Sequence, residues 1–220
     1  MQLSARVFSS LCGLVLAASP AAAQFRDAPP TPPAGAAPNQ MIPSRDTLGR
    51  YATPNRDLGR DEASWHVRAA LNVAALGCRD AAEAATVAAY NRLLRDQREP
   101  LAAADTGVKA LYRARHSAEW EDAHDRQMTR VYNFFAQPTG HDAFCQSARE
   151  VLARAATVNA IQFADFAAES LPLLEAPFTD FYRAYETYRV EYAAWQRGDR
   201  APVQVASAAP ASQELRALVP

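Results

Sequence analysis

The sequence predicts an all-α fold: an antiparallel helical bundle with a long Pro-kinked second helix and one disulfide. Three observations predict it. From about Asp61 to Arg197, apolar residues recur at three- and four-residue steps. Glycine is scarce, at 8 of 220 residues, and alternating β-branched runs are absent, which argues against a sheet. Two cysteines, Cys78 and Cys145, remain once a secretory leader is set aside. An even pair in an exported chain predicts a structural disulfide.

Residues 1–23 carry the pattern of a signal peptide. Arg6 gives a basic start, Val7 to Ala18 is mostly apolar, and Ala21-Ala22-Ala23 supplies the small residues of a cleavage site before Gln24. The apolar run covers about a dozen residues, and a spanning helix needs roughly 20. Cys12 lies in that run and leaves with it. The expected location is periplasmic or secreted, with no transmembrane segment after cleavage. Lys plus Arg number 23 and Asp plus Glu 24, a balance that gives no field for nucleic acid.

Residues 24–60 read as a Pro-rich disordered linker. Pro29, Pro30, Pro32, Pro33, Pro38 and Pro43 crowd its first half, and a polar, turn-rich stretch through Tyr51 and Asn55 follows. Residues 198–220, rich in Ala, Pro and Ser, read as a disordered tail. The helical domain is residues 61–197.

The first helix is expected from Asp61 to Gly77, with Val67, Ala70, Leu71, Ala74 and Cys78 on one face. Asp80 and Glu83 resemble a capping box for the second. Its apolar phase, from Val87 and Tyr90 to Val108 and Leu111, passes through Pro100 unchanged. One helix over about Ala81–Arg115, kinked near Glu99, is expected. Ser117 is placed as the cap of a third helix, whose inward face holds Trp120, His124, Met128, Val131 and Phe135. Thr139 with Asp142 resembles a capping pair for a fourth, which buries Phe144, Cys145, Val151 and Leu152. A fifth is expected over Asn159–Leu171, stopped at Pro172. A sixth restarts at Pro177 and runs over Phe178–Gln196.

The sixth helix is aromatic. Phe178, Phe181, Tyr182, Tyr185, Tyr188, Tyr192 and Trp195 fall within about 140° of arc. Such a stripe either closes the core or forms a partner surface, for which Phe181, Tyr185, Tyr188, Tyr192 and Trp195 are the candidates.

The cysteine pair lacks the C-x-x-C spacing of a redox catalyst, so a structural role is expected. Glu121 and His124 share one helix face at the spacing used by di-iron bundles, but those sites need a second such pair and two more carboxylates. His124 therefore reads as a packed histidine, with Glu121 and His124 kept as metal candidates. His66 and His141 have no ligand-like partner in the sequence. No haem, nucleotide-binding or hydrolase motif is present, so neither a cofactor nor catalysis is expected. Arg92, Arg95 and Arg98, interleaved with Asp96 and Glu99, read as a solvated helix face.

The string Ala69-Ala70-Leu71-Asn72-Val73-Ala74-Ala75-Leu76-Gly77-Cys78, with Ala89-Tyr90-Asn91, Val131-Tyr132-Asn133-Phe134-Phe135 and Phe144-Cys145, resembles uncharacterised exported helical proteins of alphaproteobacteria. The resemblance covers about Asp61 to Ala155 and implies export and a helical fold, with no assigned activity. The function expected is that of a non-enzymatic envelope protein that binds another protein or a cell-wall component. The alternative is a metal-binding helical bundle.

Overall fold

The computed structural model describes residues 28–199. The expected leader, Cys12 and residues 200–220 of the expected tail lie outside the described residues. The described chain falls into two units, residues 30–193 and a second holding residues 28–29 and 194–199. Within the second, Arg197 Nε donates to Asp199 Oδ2 at 3.0 Å around Gly198.

The described residues form six α-helices: α1 (Arg60–Gly77), α2 (Glu83–Asp96), α3 (Arg98–His116), α4 (Trp120–Phe135), α5 (His141–Ala155) and α6 (Phe163–Gln196). A 3₁₀ turn, Ser117–Glu119, leads into α4. Among the described residues the only β pairing is one isolated bridge, Arg45 to Tyr51. None of the described helices is long and apolar enough to cross a membrane.

Helix α1 is the centre of the bundle and packs against α2, α3, α4 and α5. Val67, Ala69, Ala70, Leu71 and Ala74 are completely buried. Its alanines let neighbouring helices approach on several sides, which a single bulky stripe would not. Glu62 reaches back so that its Oε2 accepts from the Gly59 N–H at 3.0 Å, which satisfies one orphan donor at the helix start. The capping pairs expected elsewhere do not form. Glu83 pairs with Arg79, while Asp80 Oδ1 accepts from the Ala82 N–H at 2.8 Å in the turn before α2. Ser117 lies in the 3₁₀ turn, and α5 begins after Gly140 rather than on Thr139.

The Pro100 kink divides the expected second helix in two. The break falls at Gln97, and Pro100 becomes the third residue of α3, where the missing N–H needs no partner. Gln97 is 2% exposed, and its Nε2 donates to the Val158 carbonyl at 2.7 Å. The break is thus anchored to the chain after α5.

The expected fifth and sixth helices are one. Helix α6 runs unbroken for 34 residues through Pro172 and Pro177. Its buried positions, Phe163, Ala167, Ser170, Leu174, Phe178, Phe181 and Tyr185, keep one phase across both prolines. Continuous packing outweighs about 3 kcal/mol per interior proline. Each proline deprives the carbonyl four residues earlier of its donor. Those carbonyls belong to Ala168 and Leu173, both exposed residues.

The core is aromatic where α4, α5 and α6 meet. The Phe178 ring centroid lies 5.0 Å from that of Phe134, 6.0 Å from Phe135 and 5.3 Å from Phe144. The expected disulfide is present. It joins Cys78, the C-cap of α1, to Cys145 in the second turn of α5, with Cα atoms 5.7 Å apart across 67 residues. The entropy of closing that loop is worth about 4 kcal/mol.

Part of the expected linker, within residues 30–59, packs against the helices. Tyr51 is 5% exposed and meets Tyr182 edge-on at 5.2 Å. Ala36, Ile42 and Leu58 also pack on the core. Asp46 organises the turn. Its Oδ1 accepts from the N–H groups of Leu48 and Arg50 at 3.0 and 2.8 Å, and its Oδ2 pairs with Arg50 and Arg56. The charges of the segment thus satisfy one another, and one tyrosine seats it on the core.

Candidate functional site

Residues 52–58 cross the surface beside α3 and α4 and leave a cleft of about 420 Å³. Thr53, Pro54, Arg56 and Leu58 form one wall. Tyr112 and Arg115 come from α3, Gln127 and Arg130 from α4, and Glu62 from the first turn of α1. Tyr112 is buried in a satellite core with Val108 and Ala123, which Trp65 and Trp120 flank. Burial pushes the Tyr112 hydroxyl above its ordinary pKa, and the nearby Glu62 charge adds to the effect.

Gln127 ties the cleft together. Its Nε2 donates to the Pro54 carbonyl at 3.2 Å, and its Oε1 accepts from Arg130 Nε at 3.0 Å. Three guanidinium groups thus share the cleft from separate elements. Arg56 is paired with Asp46 at 2.8 Å, and Arg115 Nη1 donates to Glu62 Oε1 at 3.4 Å. Arg130 has no carboxylate partner among the described residues. The buried Nε of Arg56 makes no hydrogen bond among them either.

Behind the wall lies a polar layer. His66 is 3% exposed, and its Nδ1–H donates to Asn55 Oδ1 at 3.0 Å. Burial lowers the His66 pKa to about 4, so the ring is neutral at pH 7. Burial raises the Glu175 carboxyl, opposed by the Thr53 and Asn55 side chains and the Arg56 charge.

The aromatic candidates divide. Phe181 and Tyr185 are core residues, 7% and 5% exposed, and so form no partner surface. Tyr188 and Tyr192 are half-buried and continue the ladder, with Tyr185–Tyr188 and Tyr188–Tyr192 centroids both 5.7 Å apart. Trp195 is half-buried.

The metal candidates part as well. Glu121 is exposed, while the His124 side chain is 14% exposed with Nδ1 3.5 Å from Asp125 Oδ1. Among the described residues, no third donor joins Glu121 and His124. The His124 ring also stands edge-on to Tyr112 at 5.3 Å. His141, which had no partner in the sequence, lies with Nε2 3.6 Å from Cys145 Sγ.

Sequence reasoning missed the cleft because Arg56, Arg115 and Arg130 are far apart and follow no motif spacing. His141 was findable, since His141 and Cys145 are four residues apart on a helix and must share a face. Comparison of the chain with family models, curated proteins and solved structures finds no match in any of the three.

Proposed function

We propose that the chain is an exported, non-catalytic envelope module that binds a carboxylate-bearing peptide, of a protein or of the cell wall, in the arginine cleft. The carrying observation is Arg130, a cation without a carboxylate partner among the described residues, beside Arg56 and Arg115. A planar guanidinium binds a carboxylate through two parallel hydrogen bonds, which gives geometry as well as energy. The one buried carboxylate of the lining, Glu62, is already engaged by Gly59 and Arg115. That arrangement favours recognition over proton transfer. Export rests on the leader pattern before Gln24 and on the paired cysteines.

Calorimetry with short synthetic peptides tests the reading. A peptide with a free C-terminal carboxylate should bind at least about tenfold more tightly than its amide, equivalent to about 1.4 kcal/mol. Arg130→Ala should remove that preference with the helical circular dichroism unchanged. Equal binding of acid and amide would refute the carboxylate assignment. Export is tested separately by fractionating cells that express the full chain and sequencing its amino terminus, which should begin at Gln24. An uncleaved chain held in the cytoplasm would overturn it.

A further inference from the structure

Three donor atoms converge where α1 ends and α5 begins. Cys78 caps α1, His141 opens α5, and Cys145 lies one turn further along the same face. Their ligand atoms all lie within 4.8 Å of one another, and His141 Nε2 is 3.6 Å from Cys145 Sγ. The cysteines are 1% and 3% exposed, while His141 is half-buried, so the group has a dry side and a wet side. A β-carbon placed on Gly77 would come within 3.7 Å of His141 Cε1, so the imidazole lies across the end of α1.

Tetrahedral zinc holds thiolates at about 2.3 Å and imidazole at about 2.0–2.1 Å, which spaces its donors roughly 3.5–3.8 Å apart. The His141–Cys145 pair already stands at that spacing. Only the two sulfurs must move apart, and the 5.7 Å between their Cα atoms permits it by side-chain rotation.

We propose that Cys78, His141 and Cys145 form a zinc site that replaces the disulfide when the chain is reduced. A dithiol donates two electrons to the Cys78–Cys145 bond and becomes a cyclic disulfide, leaving two thiols. Zn²⁺ then displaces both thiol protons to solvent and takes the lone pair of neutral His141 Nε2. Water from the half-exposed side fills the fourth position. Soft thiolates select such an ion over magnesium or calcium. Zinc would keep α1 and α5 joined when their covalent link is lost, and the proposal stands independently of the arginine cleft.

The experiment uses the full chain, reduced with a phosphine under argon and titrated with Co²⁺ as a spectroscopic probe. One Co²⁺ per chain should bind, with a near-ultraviolet thiolate-to-cobalt charge-transfer band that Zn²⁺ abolishes. The oxidised chain should show no band. Cys145→Ser should eliminate it, His141→Ala should weaken binding at least about tenfold while keeping charge-transfer character, and His124→Ala should change nothing. A reduced chain that stays helical by circular dichroism yet gives no band overturns the proposal. So does a reduced chain that unfolds and is not refolded by the metal, or a His141→Ala variant that binds as tightly as the parent.

Discussion

Asn55 and His66 are joined by a 3.0 Å hydrogen bond in which a buried imidazole donates to a side chain from the segment that precedes α1. Burial keeps His66 neutral, and the bond fixes which ring nitrogen carries the proton. It also makes that segment part of the core's polar layer.

Acid should therefore weaken the fold. The His66 pKa is about 4 in the folded chain against an ordinary 6.5, so the unfolded chain binds the extra proton first. Stability is full above about pH 6.5 and falls until about pH 4, by up to about 3 kcal/mol. Glu175, with its pKa raised, works the other way. Its folded form gains relative stability as pH falls through its folded pKa, so it offsets part of the loss. Urea unfolding between pH 7.5 and 4 should show the decline, and His66→Gln should flatten it. An equally steep decline in the variant would remove His66 as the cause.

Tyr51 should carry most of the energy that holds residues 45–51 down. Its hydroxyl donates to Glu186 Oε2 at 2.9 Å and accepts from Arg45 at 2.6 Å, while its ring meets Tyr182. Tyr51→Ala should cost about 3 kcal/mol and Tyr51→Phe about 1 kcal/mol. Glu186→Gln, at a partly exposed ion pair, should cost less than about 1 kcal/mol. Limited proteolysis near residue 50 should accelerate in that order.

The two α6 prolines should behave differently. Pro172 is exposed, so Pro172→Ala restores a backbone donor without opening a void and should stabilise the chain by about 1 kcal/mol. Pro177 is buried, so Pro177→Ala trades the same gain against a cavity and should be near neutral. Thermal unfolding of the two variants separates the cases.

Gly140 is required where α5 meets α6. Its φ is +73°, and an added β-carbon would lie 2.8 Å from the Pro177 carbonyl oxygen. Gly140→Ala should cost at least about 2 kcal/mol, combining left-handed backbone with a backbone clash. Because the close approach sits next to His141, the variant should also weaken cobalt binding by the reduced chain.

The bundle was legible in periodicity, and the disulfide in cysteine parity, because both are properties of local pattern. The α6 junction was misread for a physical reason. Pro172 and Pro177 carry strong local signals, yet Phe163 to Tyr185 hold one phase, and burial along that whole face outweighs two lost hydrogen bonds. The packing of Tyr51 and its neighbours on the core was hidden differently. Asp46 binds two backbone amides and two arginines, so charge that reads as solvated in sequence is internally neutralised in the fold. The arginine cleft had no signature, since proximity among Arg56, Arg115 and Arg130 exists only after packing.

The Cys78–Cys145 bond makes residues 78–145 a covalent ring with two open arms. A nick inside the ring leaves one connected molecule, whereas a nick in either arm releases a fragment without reductant. The cleft straddles this boundary: Tyr112, Arg115, Gln127 and Arg130 stand on the ring, and residues 52–58 and Glu62 on the amino-terminal arm. A ligand gripping both sides would staple an open arm to a closed loop, so its binding energy would appear as resistance of that arm to peeling.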